Sequence, residues 1–170
     1  MSGAGAPDLT VDASGLRVAI IAGSWHEEIM SPLIAGAQAT ANAAGADHTL
    51  FRVAGAFELP AAAQAALKSG FDAAVCLGVI IRGGTPHFDY VCNAVTDGLT
   101  RVQLDTGKPV GFGVLTTDTE QQALDRSGRP GAPESKGQEA TEAALHLAVQ
   151  LRRIRDEGST THRAPGAARP

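Results

Sequence analysis

Trp25, Glu58, His87, Arg126 and Lys136 stand out in this chain, because each offers a chemistry that the surrounding small aliphatic residues lack. Trp25 is the single tryptophan and follows the apolar run 16–23 (LRVAIIAG). It reads either as a core aromatic capping a sheet or as a stacking platform for a planar heterocycle. Gly83-Gly84-Thr85 leads into an expected helix. Glycines there let a ligand approach the backbone, and the N–H groups of the helix start favour an anion. His87 falls in the first turn of that helix, where a histidine beside a bound anion is placed to pass protons near neutral pH. The alternative is a solvated histidine with no task. Glu58 either holds polar groups of a ligand or decorates a helix start, where a carboxylate is favourable in any case. Arg126 and Lys136 flank a loop and, taken alone, read as solvated charges. His26 lacks the second histidine of a metal-binding helix motif and is given no role. Neither GxxxxGK[ST] nor GxGxxG occurs, so a nucleoside triphosphate or a dinucleotide is disfavoured.

The elements that must position these residues alternate between two periodicities. The run 16–23, rich in β-branched residues, reads as a strand buried on both faces of a parallel sheet, 72–81 reads as the clearest buried strand, and 47–53 and 108–116 read as the second and fourth strands. Helices are expected over 26–44, 58–69, 85–106, 119–126 and 134–157. Ser24 is the expected N-cap of the first. Thr85 is the expected N-cap of the third, with Pro86 at its first helical position. Pro32 leaves the start of the first helix open. Alternating strands and helices imply right-handed βαβ crossovers and a three-layer αβα sandwich of the α/β class. The strand-to-helix loops then gather at one edge of the sheet, where open α/β folds bind ligands. Four segments are expected there: 23–26, 55–58, 82–87 and the end of the fourth strand, near 112–117. Residues 1–15 read as an irregular arm, part of which could pair with a sheet edge. Residues 16–157 read as one domain, and 158–170 as a disordered tail.

Composition bounds the function. A length of 170 residues with 44% hydrophobic and 19% charged positions suits one globular domain. The net charge of −4 gives no nucleic-acid footprint. Arg152, Arg153 and Arg155 cluster near the end of the last helix, where they are expected to complement its dipole. The two cysteines, Cys76 and Cys92, show no metal spacing, and Cys76 sits in an apolar run, which reads as a buried free thiol. Residues 1–15 lack the pattern of a secretion signal, and no run approaches a membrane span of about 20 apolar residues. A cytoplasmic protein without metal, nucleic-acid or membrane partners is expected.

Longer motifs then become legible. GAFELP at 55–60, LGVIIRGGTPHFDYVC at 77–92, FGVLTT at 112–117, EQQALDR at 120–126 and Lys136-Gly137 closely resemble those of lumazine synthases, in that family's order, over about 16–154. The resemblance implies a flavodoxin-like fold with a four-stranded parallel sheet, whose N-terminal segment could add to a neighbour's sheet. It also implies a cofactor-free condensation of 5-amino-6-(D-ribitylamino)uracil with 3,4-dihydroxy-2-butanone 4-phosphate. By the same resemblance, Trp25 would stack on the pyrimidine. Ala56, Phe57 and Glu58 would bind pyrimidine and ribityl chain, with Ile80 and Ile81 along the pocket. Gly84, Thr85 and Arg126 would hold the phosphate, and His87 would shuttle protons. Phe112 and Lys136, with Arg126, would come from a neighbouring subunit.

Two departures matter. Gly84 stands where relatives often carry Ala or Gln, which leaves a backbone contact to phosphate but no side-chain one. His26 replaces a smaller polar residue. The family's basic unit is a pentamer, and some members stack twelve pentamers into a shell. Shell-formers tend to carry a Gly-Asn turn between the equivalents of Arg126 and Lys136. Here residues 127–135 contain Pro130 and Pro133 and no Asn, which favours a free pentamer. Two alternatives stay open: an archaeal-type riboflavin synthase, which would need no phosphate loop, and a lumazine- or flavin-binding or shell-forming protein without turnover, which would leave Arg126 and His87 idle.

Overall fold

The computed structural model describes residues 7 and 9–160. Four parallel strands form one sheet in the order β2-β1-β3-β4, with β1 at Arg17–Gly23, β2 at Asp47–Val53, β3 at Ala73–Ile81 and β4 at Val110–Thr117. Among the described residues three α-helices connect them, α1 at Glu27–Ala43, α2 at Leu59–Lys68 and α3 at His87–Thr106, and two follow β4, α4 at Glu120–Leu124 and α5 at Lys136–Thr160. A 3₁₀ turn at Ala56–Glu58 precedes α2. This is the expected α/β three-layer, flavodoxin-like arrangement.

The layers follow from period-two alternation along the strands. Val18, Ile20, Ala73, Val75, Leu77 and Leu115 face one way, into a core closed by Ile29, Met30 and Leu33 of α1 and Ala144 and Leu145 of α5. Ala19, Ile21, Ala74, Cys76 and Val114 face the other way, towards Leu59, Ala63 and Leu67 of α2 and Val95 and Leu99 of α3. Cys76 is wholly buried and free, and burial pushes its thiol up to about 12, so it serves as a small core residue. With few aromatics to fill space, the layers approach closely. A β-carbon on Gly137 of α5 would land on the Leu33 carbonyl of α1, and one on Gly111 of β4 would land on the Ala140 carbonyl of α5. These two glycines set the angle at which α5, and therefore Lys136 at its start, meets the sheet.

Pro32 lies inside α1, whose start at Glu27 falls one residue from the expected 26. Other expectations change. Helix α5 continues to Thr160, so Arg152, Arg153 and Arg155 are not in its last turn. Instead Arg152 pairs with Asp72 at 3.4 Å and Arg155 donates to the Gly107 carbonyl at 2.6 Å, at the C-terminus of α3 rather than of their own helix. The tail expected over 158–170 lies outside the described residues from 161 onward. Among the described residues before β1 there is no strand. Ala13 donates to the Ala44 carbonyl at 2.8 Å, and Ala13 and Leu16 are buried against the α1/α5 side. No helix of the described residues is long and apolar enough to cross a membrane.

Candidate functional site

All four strands run the same way, so their exits share one edge. β1 leaves through Ser24-Trp25-His26. Ser24 is not the cap of α1. Its hydroxyl donates to the Val53 carbonyl at 2.7 Å and its N–H to the Ala54 carbonyl at 3.3 Å, which ties the exit of β1 to the exit of β2. The cap position belongs to His26, at φ 57° and ψ 62°. It is the only non-glycine residue with positive φ among the described residues, and its carbonyl accepts the N–H groups of Ile29 and Met30, each at 2.9 Å. A residue held in this region stores strain, and such strain gathers where a neighbour must be aimed. That neighbour is Trp25, 69% exposed and therefore not a core aromatic. His26→Asn or His26→Gly is expected to leave thermal stability unchanged or raised, because both tolerate a left-handed backbone. His26→Val should cost about 1–2 kcal/mol, read by thermal or urea unfolding; an unaltered midpoint for the valine variant would show that the turn is not strained.

β2 exits into the 3₁₀ turn. Gly55 N–H donates to Glu58 Oε2 at 2.8 Å, so the carboxylate closes its own loop. A β-carbon on Gly55 would sit 3.4 Å from Trp25 Cδ1 and 3.4 Å from Glu58 Oε2, so the indole edge and the carboxylate flank this glycine. Ala56 is half-buried against the α2/α3 core, while Phe57 is 64% exposed. Ile80 and Ile81 close β3 on opposite faces: Ile80 is buried on the α2/α3 side, and Ile81 packs against the α1/α5 core.

Gly83-Gly84-Thr85 joins β3 to α3. Neither glycine has positive φ, and a β-carbon on either would meet no atom within 4 Å. The conformation does not demand glycine here; its absence of side chain leaves the approach to the helix open. α3 starts one residue later than expected. Pro86, at φ −64°, takes the cap position in place of Thr85, and His87 becomes the first helical residue. No side chain caps this end, so the leading N–H groups and the positive end of the dipole face solvent, beside the exposed Thr85 and His87.

β4 exits through Thr117 and Asp118 into α4, which Thr119 and Gln122 cap reciprocally. Arg126 follows. Its Nη1 donates to the Gln122 carbonyl at 2.8 Å, and its carbonyl accepts Lys136 N–H at 3.0 Å. The loop between them doubles back through a Ser127–Ser135 bridge, so Arg126 and Lys136 sit side by side although ten positions apart. Lys136 is half-buried between Glu134 at 2.8 Å and Glu139 at 2.7 Å. Burial alone would pull its ammonium down; the hydrogen bonds it donates to the two carboxylates, with their charges, outweigh that and hold it above the usual lysine value. The Lys136 hydrogen bond in turn holds Glu134 below the usual carboxylate range.

Phe112, expected to serve a neighbouring subunit, lies apart from its own chain's edge. It is the third residue of β4, opposite Cys76, five residues before the strand's end. At roughly 3.3 Å per residue that is about 16 Å from the edge. Its ring is 45% exposed beside Thr96, Leu99 and Gln103 of α3, in an open hollow of about 260 Å³. One chain therefore gathers Trp25, Ala56, Phe57, Glu58, Ile80, Ile81, Gly84, Thr85 and His87 at the edge, with Arg126 and Lys136 beyond β4, and keeps Phe112 apart. Arg82 was missed as more than a motif letter. It bridges Asp118 at 2.7 Å and Asp89 at 3.2 Å, and both hydrogen bonds hold its guanidinium above its ordinary value. The only sequence signal is an acid seven positions on.

A flat exposed aromatic beside a loop with a carboxylate suits a planar heterocycle bearing hydroxyls. An uncapped helix start suits an anion. Comparison with known proteins agrees. Residues 15–152 match the family model described as 6,7-dimethyl-8-ribityllumazine synthase. Curated proteins of that name include one from Leifsonia xyli subsp. xyli, 64% identical over 157 residues, covering 91% of this chain and 99% of the relative. Another, from Clavibacter michiganensis subsp. michiganensis, is 58% identical with the same coverages, 91% and 99%. A third, from Kineococcus radiotolerans, is 57% identical over 91% of this chain and 96% of the relative. The chain belongs to the 6,7-dimethyl-8-ribityllumazine synthase family, transferases of riboflavin biosynthesis.

Proposed function

We propose that the chain condenses 5-amino-6-(D-ribitylamino)uracil with 3,4-dihydroxy-2-butanone 4-phosphate, giving 6,7-dimethyl-8-ribityllumazine, phosphate and two waters. The observation that carries this reading is the meeting at one sheet edge of exposed Trp25, the Gly55–Glu58 loop and the uncapped start of α3 bearing His87. The pyrimidine stacks on Trp25, its polar edge meets the backbone of Ala56 and Phe57, and Glu58 and the end of β3 line the ribityl chain. The phosphate lies against Gly84, Thr85 and the α3 N–H groups, balanced by Arg126.

The exocyclic amine attacks the ketone, and loss of water gives an imine. Removal of a proton beside the imine expels phosphate. Elimination leaves an enol, which takes a proton at its terminal carbon to become a ketone, and the ribityl-bearing nitrogen closes the ring on that new carbonyl with loss of a second water. His87 is the group at the edge suited to take and return these protons. Holding two reactants in register supplies much of the remaining acceleration. Purified protein mixed with both substrates should produce lumazine absorbance and one phosphate per lumazine. Neither substrate alone should do so, and no product from the pair would overturn the reading.

The site is completed by a second copy. Phe112 lies too far from its own edge to line the pocket it would serve, and it is exposed on the flank of β4, where a neighbour can receive it. Repetition of such a heterologous contact closes a ring. The Ser127–Ser135 bridge and Pro130 and Pro133 fix the loop that precedes α5, which favours a free pentamer over a sixty-chain shell. Light scattering at micromolar concentration should give the mass of five chains. Sixty chains would refute the loop argument, and an active monomer would refute the shared site.

A further inference from the structure

We propose that Arg82 is a positioning residue for the condensation: it fixes the first turn of α3, and with it His87, relative to the exit of β4. This deepens the site reading above and rests on it. Arg82 directly follows β3, and its N–H donates to the Thr117 carbonyl at 2.9 Å, which pins its backbone to the end of β4. The side chain then makes three grips. Nε donates to Asp118 Oδ1 at 2.7 Å. Nη1 and Nη2 reach the two oxygens of Asp89 at 3.3 and 3.2 Å. The guanidinium carbon stands 4.1 Å from the centroid of the Phe88 ring. Phe88 and Asp89 are the two residues after His87, so a rotation of the α3 start that moves His87 must break the fork, the stack or both.

The grip extends beyond β4. Asp118 N–H donates to Gln122 Oε1 at 2.9 Å, and the Gln122 carbonyl accepts Arg126 Nη1 at 2.8 Å. Direct hydrogen bonds therefore run from the His87 turn through Arg82, Asp118 and Gln122 to Arg126. Global stability does not explain the arrangement. The Arg82 side chain is 44% exposed and its partners are 55% and 67% exposed, and ion pairs so exposed add little to folding. What three simultaneous grips supply is direction. Only a planar, forked cation can bind Asp89 twice, Asp118 once and lie on a ring.

The test is a double-mutant cycle on the full-length protein, with kcat and KM measured for both substrates. Arg82→Lys keeps the charge and loses the fork and the stack. It should lower kcat roughly 10-fold with KM for each substrate within about 2-fold. In the His87→Ala background the same change should cost less than about 2-fold, because residues acting as a unit are not additive. A merely structural role would lower activity equally in both backgrounds, and that result overturns the proposal. So does an unchanged kcat, or an effect confined to KM for the butanone phosphate, which would make Arg82 a phosphate contact. Should Arg82→Lys fold poorly, Asp118→Asn replaces it in the same cycle with the same expectations. A wild-type protein that forms no lumazine overturns the underlying reading, whereas an active wild type with an additive cycle overturns the positioning role alone.

Discussion

His87→Ala is expected to lower kcat by roughly 100- to 10,000-fold, the range for loss of a well-placed proton donor and acceptor. The reason is position. His87 opens α3 directly beyond the glycine loop, exposed at the edge that also carries Trp25 and Glu58. The condensation moves a proton at each of its stages, and each transfer needs a group within hydrogen-bond reach. KM for the pyrimidine should change little, because Trp25 and the Gly55–Glu58 loop lie on the exits of β1 and β2 instead. Activity should not vanish, since the two reactants are still held together. Steady-state kinetics decide it, and a kcat within about threefold of wild type would remove His87 from the chemistry.

Arg126→Ala should weaken the butanone phosphate roughly 10- to 150-fold, since a hydrogen bond to a charged group contributes about 1.5–3 kcal/mol. Binding of the pyrimidine should stay within about twofold, because no base contact is lost. Arg126 is already anchored by its bond to the Gln122 carbonyl, so its guanidinium is presented rather than free to wander. Arg126→Lys should restore only part of the loss, as a point charge cannot reproduce a two-pronged contact. Calorimetry with each substrate separates the two effects, and equal losses for both would sink the phosphate assignment.

β1 and β3 were legible because buried parallel strands write themselves as apolar, β-branched runs, whereas β2, read at 47–53 to the residue, is a largely exposed edge strand. The motifs around Gly55–Glu58 and Gly83–His87 were legible because each lies on one continuous stretch of chain. What failed depended on partners distant in sequence. Ser24 is a good cap by type, but its hydroxyl is taken by Val53, 29 residues on, once β1 and β2 are paired. The cap then fell to His26 in a left-handed conformation that residue type does not announce. The edge segment expected over 112–117 reached too deep into β4, since the depth of a residue within a strand depends on where pairing begins, here at Val110 opposite Ala74. The grip of Arg82 on Asp118 spans 36 residues, and the clasp on Lys136 needs the 127–135 loop to fold back first.

In the proposed assembly the chemistry sits at the strand-exit edge of one chain and is finished by Arg126 of the next. Mixed assemblies test it directly. His87→Ala chains and Arg126→Ala chains are unfolded together at equal amounts, refolded, and assayed at butanone phosphate well below the KM of the Arg126→Ala chains, where each parent alone is weakly active. If sites are shared around a ring, a site is intact when a chain with His87 abuts one with Arg126 in the right order, so about a quarter of wild-type activity should return. If each chain holds a whole site, the mixture will show no more than the average of its two parents, and the shared site is contradicted.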